Sequence, residues 1–472
     1  MLNRRTAIVN MLKTSAALAV ARDCKGLAQT KGALSLKLSG ASPVTVPANF
    51  TGLGYEMSSV ATPNLLSPAN RRYVELVRGL GPHGVLRVGG IVANYARYIP
   101  DGTARNERQN TVITRACLKD FAEFLQEIGW SAIWSVNFAQ GTIEEAVKEA
   151  RAVFDMFGPR LLAIEIGNEV DSYGKGQPFR PANYDYDAYR KEYGQWRAAI
   201  AKAIPGLSFA APDTARAADW VERMAQDARG EVQLLTTHYY RNGQTRGSAE
   251  QLLTPDPRLN DILVRLRTAS QQSRIPWRMC EINSFSGGGR PGVSDTFIGT
   301  LWTLNTMLLL VQYGCAGVNM ETGVNQLGFV SSYSPIQDDG NGRNSSSVPY
   351  YGMLAFATAF AQCHQMLPLT AGTGSDSLLA YVLGAHGNPR SAVIVNIDST
   401  TDAFVSVASL GMKEVTVLRL VAPSADSKTG VTFGGAQVDE AGRWRAASEE
   451  RASDGAVIVP HMSAAVLLTA RA

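Results

Sequence analysis

The sequence predicts an α/β protein: a (β/α)8 TIM barrel with a C-terminal β-sandwich domain that also takes N-terminal strands. Three observations predict it. Between about residues 50 and 360, eight short β-rich apolar segments alternate with helical patterns; beyond about 365, short strands follow one another without helices; and an alternating segment, Leu34 to Val46, precedes the first barrel strand. The expected division is 1–30 as a leader, 50–360 as the barrel, and 31–49 with 361–472 as the sandwich.

The eight barrel strands are expected at Thr51 to Met57, Val85 to Gly89, Ala132 to Asn137, Leu161 to Gly167, Ser208 to Pro212, Leu234 to Tyr239, Trp277 to Ile282 and Gly317 to Glu321. Between them, Thr142 and Glu145 form a capping box, in which hydroxyl and carboxylate satisfy each other's exposed backbone donors. Ile143, Val147, Ala150 and Phe154 follow at helical spacing, and Gly158-Pro159 stops the helix. Cys117, Phe121, Phe124 and Ile128 make a second apolar stripe, which assigns Cys117 to packing. Leu301 to Val311 reads as a buried helix. In the sandwich, strands are expected at Leu378 to Leu383, Ala392 to Ile397, Phe404 to Ala408, Val415 to Leu420, Val457 to Val459 and Ala464 to Leu468.

Of 472 residues, 45% are hydrophobic and 18% charged, with mean hydropathy near zero, which excludes a disordered or fibrous chain. The first residues carry Arg4, Arg5 and Lys13 before an apolar stretch from Ala16 to Ala21, the pattern of an export signal, with Arg4-Arg5 resembling a twin-arginine leader. A periplasmic or secreted protein is expected. The net charge of +4 is no sign of an anionic partner: five of the 45 basic and one of the 41 acidic residues lie in the first 30, leaving 40 of each. Five widely spaced cysteines without a CxxC pair suggest neither a zinc site nor a disulfide scaffold. His83, His364, His386 and His461 have no Asp or Ser partner at useful spacing, and Gly-x-Ser-x-Gly and Walker-type loops are missing.

Barrel active sites lie at the C-terminal ends of the strands. The fourth strand ends Glu165-Ile166-Gly167-Asn168-Glu169, and the seventh Cys280-Glu281-Ile282-Asn283, so each puts a glutamate at the mouth. Two facing carboxylates suit glycoside hydrolysis: one protonates the leaving oxygen and the other, about 5 Å away, attacks the anomeric carbon. Asn168, beside Glu169, can donate to a sugar 2-hydroxyl. The bare backbone of Gly287-Gly288-Gly289 can approach a ligand closely and offer amide donors.

Gly167-Asn168-Glu169 with Glu281 resembles the clan A retaining glycoside hydrolases. The run from Glu281 to Gly289 with Pro291 and Ser294 to Phe297, together with Leu86 to Gly90 and His238 to Gly243, is similar to glycoside hydrolase family 79, the heparanases and β-glucuronidases. The resemblance implies Glu169 as acid/base, Glu281 as nucleophile and Tyr239 as the hydroxyl that orients the nucleophile. Tyr240 remains an alternative, because His238 and Tyr240 share one face of an alternating strand. It further implies Glu56 as an acceptor for sugar hydroxyls, and Gly328 and Tyr333 as the nearest candidates for holding a glucuronate carboxylate. Ile91 replaces a polar residue of the heparanases, and only about 30 residues separate Glu56 from Arg87, with no room for their excised linker. The expected substrate is a glucuronic-acid-containing oligo- or polysaccharide such as heparan sulfate, cleaved by a monomer without metal or organic cofactor. No nucleic-acid partner is expected, nor a membrane once the leader is removed. The glycine loop and absent linker favour an open cleft and endo action; a hydrolase of a neutral β-glycoside such as a xyloside, or a non-catalytic glycan binder, are the alternatives.

Overall fold

A computed structural model describes residues 34–324, 328–339, 342–370, 373 and 375–470; the expected leader lies outside them. Eight parallel strands close into a barrel: β1 (Gly52–Glu56), β2 (Val85–Gly89), β3 (Ser131–Val136), β4 (Leu161–Ile166), β5 (Phe209–Thr214), β6 (Leu234–Gly243), β7 (Trp277–Ser286) and β8 (Val318–Glu321). β8 returns to β1 through Met320 opposite Leu53 and Glu321 opposite Gly54. Every expected barrel strand is present. β6 and β7 run several residues further at their C-terminal ends, so they raise one wall of the mouth.

The helices between strands form where the apolar stripes predict. Helix Ile143–Phe157 opens with the Thr142–Glu145 capping box, in which Thr142 N–H donates to Glu145 Oε2 at 2.8 Å and Glu145 N–H donates back to Thr142 Oγ1 at 3.2 Å. In helix Arg115–Ile128, Phe121, Phe124 and Ile128 are buried and Cys117 packs at their edge. Helix Phe297–Gln312 carries apolar side chains on nearly every face, because it lies between the barrel and the sandwich. Cys117, Cys280, Cys315 and Cys363 are free thiols. No helix among the described residues is long and apolar enough to cross a membrane.

The sandwich is threaded from both chain ends. Its larger sheet runs in the order Val44–Thr45, Gln365–Leu367, Leu378–Ala385, Asn388–Asn396, Ser463–Thr469, Val415–Val421, Thr432–Phe433, with Glu450–Ala452 also paired to Val415–Val421. The smaller sheet aligns Leu34–Ser35, Ala403–Ser406 and Ala456–Val459. The N-terminal segment therefore contributes a strand to each. Three short strands, Gln365–Leu367, Thr432–Phe433 and Glu450–Ala452, were not expected from sequence, since runs of two or three residues carry no measurable alternation. In the central strand Asn388–Asn396 alternate residues separate two cores: Val393 and Val395 face the barrel helices, and Ala392 and Ile394 face the smaller sheet.

One buried carboxyl marks the barrel's outer layer. Glu149 accepts from the Trp134 indole N–H at 2.8 Å, and burial pushes its carboxyl up to about 7. A carboxyl whose folded value is raised holds its proton where the unfolded chain has released it, so stability is lost as pH rises from about 4.5 through 7. Glu149→Gln, which keeps the acceptor and removes the titration, should gain on the order of 3 kcal/mol relative to the parent between pH 4.5 and 8, read by urea denaturation at each pH. A difference that stays constant with pH would contradict this.

Candidate active site

The mouth of the barrel is organised around one buried guanidinium. Arg87, inward-facing on β2 and fully buried, donates through Nε to Glu165 Oε2 at 2.9 Å, through Nη1 to Glu281 Oε2 at 2.9 Å, and through Nη2 to Asn168 Oδ1 at 2.8 Å and Asp213 Oδ2 at 2.5 Å. It thereby ties β2 to β4, β5 and β7. Burial disfavours the charged form of Asp213, but Arg87 and His238 outweigh it and hold the carboxyl below its ordinary value. Glu165 goes the other way: burial and the Asp213 charge push it up to about 7.

His238 is the second buried cation. Its Nε2 lies 2.9 Å from Asp213 Oδ1, and its Nδ1 lies 3.4 Å from Glu169 Oε1 and 3.8 Å from Glu281 Oε2. Burial alone would lower its pKa, yet the Asp213 and Glu281 charges raise it well above the ordinary imidazole value, so the ring is an imidazolium among three carboxyls.

Glu169 and Glu281 are brought together as expected, with an oxygen of each and a nitrogen of His238 all within 4.8 Å of one another. Glu169 is the more open, with its side chain 25% exposed against 11% for Glu281. Its backbone is left-handed (φ 52°, ψ 48°), as is that of Asp213 (φ 59°), and Glu169 N–H donates to Asp213 C=O at 2.9 Å. The Asp171 carboxylate also accepts from the N–H groups of Ala215, Arg216 and Ala217, which pins the loops after β4 and β5 to each other. Left-handed conformations in non-glycine residues cost about 1 kcal/mol or more each, and these bonds hold them in place.

Tyr239 does not meet Glu281. Its hydroxyl donates to Asp256 Oδ2 at 2.6 Å on the outer side of β6, and the Arg258 guanidinium lies 5.2 Å from its ring. Successive side chains of a strand point to opposite faces, so with His238 facing inward Tyr240 must do so too. The Tyr240 hydroxyl donates to Glu281 Oε1 at 2.8 Å, and its ring lies 6.2 Å from that of Tyr333. The hydroxyl that meets Glu281 is therefore that of Tyr240, and not that of Tyr239.

The remaining expected residues divide. Asn168 is buried, and with its oxygen held by Arg87 its NH2 is the group left to donate. Glu56 Oε2 accepts from Val92 N–H at 2.9 Å; burial and then the Glu281 charge push its carboxyl up to about 7. Gly90 makes room for it, since a Cβ there would lie 2.1 Å from that oxygen. Tyr333 is buried beside Tyr240 and within the field of Glu281. Gly287 and Gly288 sit at the end of the wall raised by β7, both left-handed (φ 83° and 91°), and Gly288 C=O accepts from Ser332 N–H at 2.7 Å, which joins this loop to the one after β8. Gly328 stands exposed in that second loop; among the described residues no hydrogen bond links it to the glutamates.

Arg87, Glu165, Asp213 and Glu321 were not singled out from sequence as site residues. Their signal was a charge inside an otherwise apolar strand. Glu321, at the end of β8, is buried, and burial followed by the Glu281 and Glu56 charges raises its carboxyl well above the ordinary value.

Removing the central guanidinium leaves buried acids without their counter-charge. Arg87→Met is expected to destabilise the fold by about 3–5 kcal/mol at pH 8, and by less at pH 5, where the released carboxyls can protonate. Denaturant midpoints at the two pH values test this; equal losses at both would show that packing rather than charge is what Arg87 supplies.

Residues 380–466 match the glycosyl hydrolase family 79 C-terminal beta domain. Two curated β-glucuronidases are similar: one from Neurospora crassa, 24% identical over 359 residues that make up 59% of this chain and 61% of that protein, and one from Aspergillus niger, 23% identical over 59% of each. The chain thus matches about three-fifths of the length of these relatives. A 4-O-α-L-rhamnosyl-β-D-glucuronidase from Fusarium oxysporum has the same fold, with TM-score 0.76 and 15% identity over 92% of this chain and 100% of that one. A family 51 α-L-arabinofuranosidase from Bifidobacterium longum follows at TM-score 0.67 and 16% identity, over 92% and 99%. The chain thus carries a match to the family 79 C-terminal beta domain and is similar, over three-fifths of its length, to two β-glucuronidases.

Proposed function

We propose that the chain is a retaining β-glucuronidase that cleaves β-D-glucuronide linkages in uronic-acid glycans such as heparan sulfate. The observation that carries the reading is the approach of Glu169 and Glu281 oxygens to within 4.8 Å. That spacing suits direct attack on the anomeric carbon; an inverting enzyme needs about 6.5–9.5 Å to admit a water.

In the first step the Glu169 carboxyl gives its proton to the glycosidic oxygen, the bond from that oxygen to the anomeric carbon breaks, and a Glu281 oxygen bonds to the carbon. In the second, Glu169 as carboxylate takes a proton from water, the water oxygen bonds to the same carbon, and Glu281 departs. Glu281 is the group prepared for attack, because Tyr240 and Arg87 each occupy one of its oxygens as donors and fix its plane. Glu169, nearer solvent, is placed for exchange of a proton with water. The Asn168 NH2 is free for the sugar 2-hydroxyl, where a hydrogen bond strengthens as positive charge develops on the ring. Glu56 is placed to accept from ring hydroxyls. The uronate carboxylate is assigned to Tyr333 and the backbone amide of Gly328, and the amides of Gly287 and Gly288 to hydroxyls of the glycan at the rim. The glucuronide preference is supported by the match to the family 79 C-terminal domain and by the similarity to two β-glucuronidases.

Hydrolysis of 4-nitrophenyl β-D-glucuronide against the matching xyloside and glucoside tests the substrate; activity confined to the neutral sugars would sink the uronate assignment. Proton NMR should show the β-anomer of glucuronate released first, and Glu281→Gln should lose at least about 10⁴-fold in kcat. Glu169→Ala should recover turnover with azide, giving β-glucuronosyl azide. Tyr240→Phe is expected to cost about 10- to 100-fold in kcat, the worth of a hydrogen bond to a charged group, while Tyr239→Phe stays within about twofold. The opposite ranking of the two tyrosines would return the orienting role to Tyr239.

A further inference from the structure

Four large hydrophobic side chains are exposed among the described residues, namely Ile99, Val264, Phe329 and Val330, and three of these lie on loops that follow β2 and β8 at the catalytic mouth. Single exposed apolar groups are ordinary. Phe329 differs in its setting. It is 53% exposed and adjoins Val330, and its ring lies along the bare glycine loop, where a Cβ on Gly288 would come within 3.3 Å of Cε2. The φ of 91° at Gly288 favours glycine, and a Cβ there would crowd the ring.

The place of this ring relative to the glutamates decides what can reach it. In the barrel order, β8 lies four strands from β4, directly across the mouth from Glu169. The leaving group sits beside its proton donor, so a glycan crossing the mouth carries its non-reducing continuation toward the β7–β8 side. β7 continues five residues past Glu281 to Ser286, a rise of roughly 16 Å along the strand, so Gly288 and the ring against it stand at the rim above the nucleophile. Pyranose rings present an apolar C–H face that an aromatic side chain can cover, and aromatic groups give large contact area at small entropic cost.

We propose that Phe329, laid on the Gly287–Gly289 loop, is a stacking platform for a sugar on the non-reducing side of the glucuronyl residue, so that the substrate is bound as an extended chain. This rests on the glucuronidase reading and deepens it. The reacting sugar is then internal, and hydrolysis releases oligosaccharides that end in glucuronate.

The test compares two substrates with one leaving group: 4-nitrophenyl β-D-glucuronide, and the same glycoside extended at its 4-hydroxyl by two further sugars. The parent should favour the extended substrate in kcat/KM. Phe329→Ala should remove roughly five- to tenfold of that advantage, through KM, with the simple glucuronide unchanged and Phe329→Trp restoring the preference. A parent that hydrolyses the simple glucuronide without preferring the extended one, or a Phe329→Ala variant weakened equally on both, overturns the platform and leaves the glucuronidase reading standing. A parent that hydrolyses neither overturns both.

Discussion

A guanidinium with no access to water fixes this active site. Moving an unpaired charge into a protein interior costs far more than a fold can supply, so Arg87 can exist on β2 only with its donors answered. The answers come from Glu165 and Asn168 on and after β4, Asp213 on β5 and Glu281 on β7. A one-residue slip of any of these strands would turn the partner away from the axis and strand the charge. Arg87 thus holds Glu281 directly and Glu169 through its neighbour Asn168.

Around it the acids are not equivalent. Asp213, between two cations, is held below its ordinary value, Glu165 and Glu56 are pushed up to about 7, and Glu321 is raised well above its ordinary value. Burial raises every one of these carboxyls, and proximity to Arg87 and His238 decides which are pulled back. This limits the negative charge that accumulates on the floor of the mouth, a condition that follows from like charges sharing a low-dielectric space.

The barrel was legible because its strands are buried on both faces and read as apolar runs punctuated by helical stripes, as in Val85 to Gly89 and Leu161 to Gly167. The two glutamates were legible because they end such runs. Tyr239 was misplaced because a resemblance fixes a neighbourhood, whereas strand parity fixes a direction: His238 turned inward takes Tyr240 with it. The Arg87 network escaped notice because its members lie on four strands, and nothing local in the sequence says that Arg87 and Asp213 share a bond. The short edge strands carry too few residues for a period, and tertiary pairing alone defines them.

The two-ended threading of the sandwich also bears on how the chain is made. Val44–Thr45 finds its partner at Gln365–Leu367, and Leu34–Ser35 at Ala403–Ser406, so the earliest segments to leave the ribosome are among the last to acquire neighbours. Loops of more than 300 residues close late and slowly. Until then the barrel lacks the sheet that afterwards brackets the segments before β1 and after β8. The sandwich acts as a clasp that fastens late, and the ring it fastens is the one whose β1–β8 seam carries Gly54 and Glu321 at the mouth.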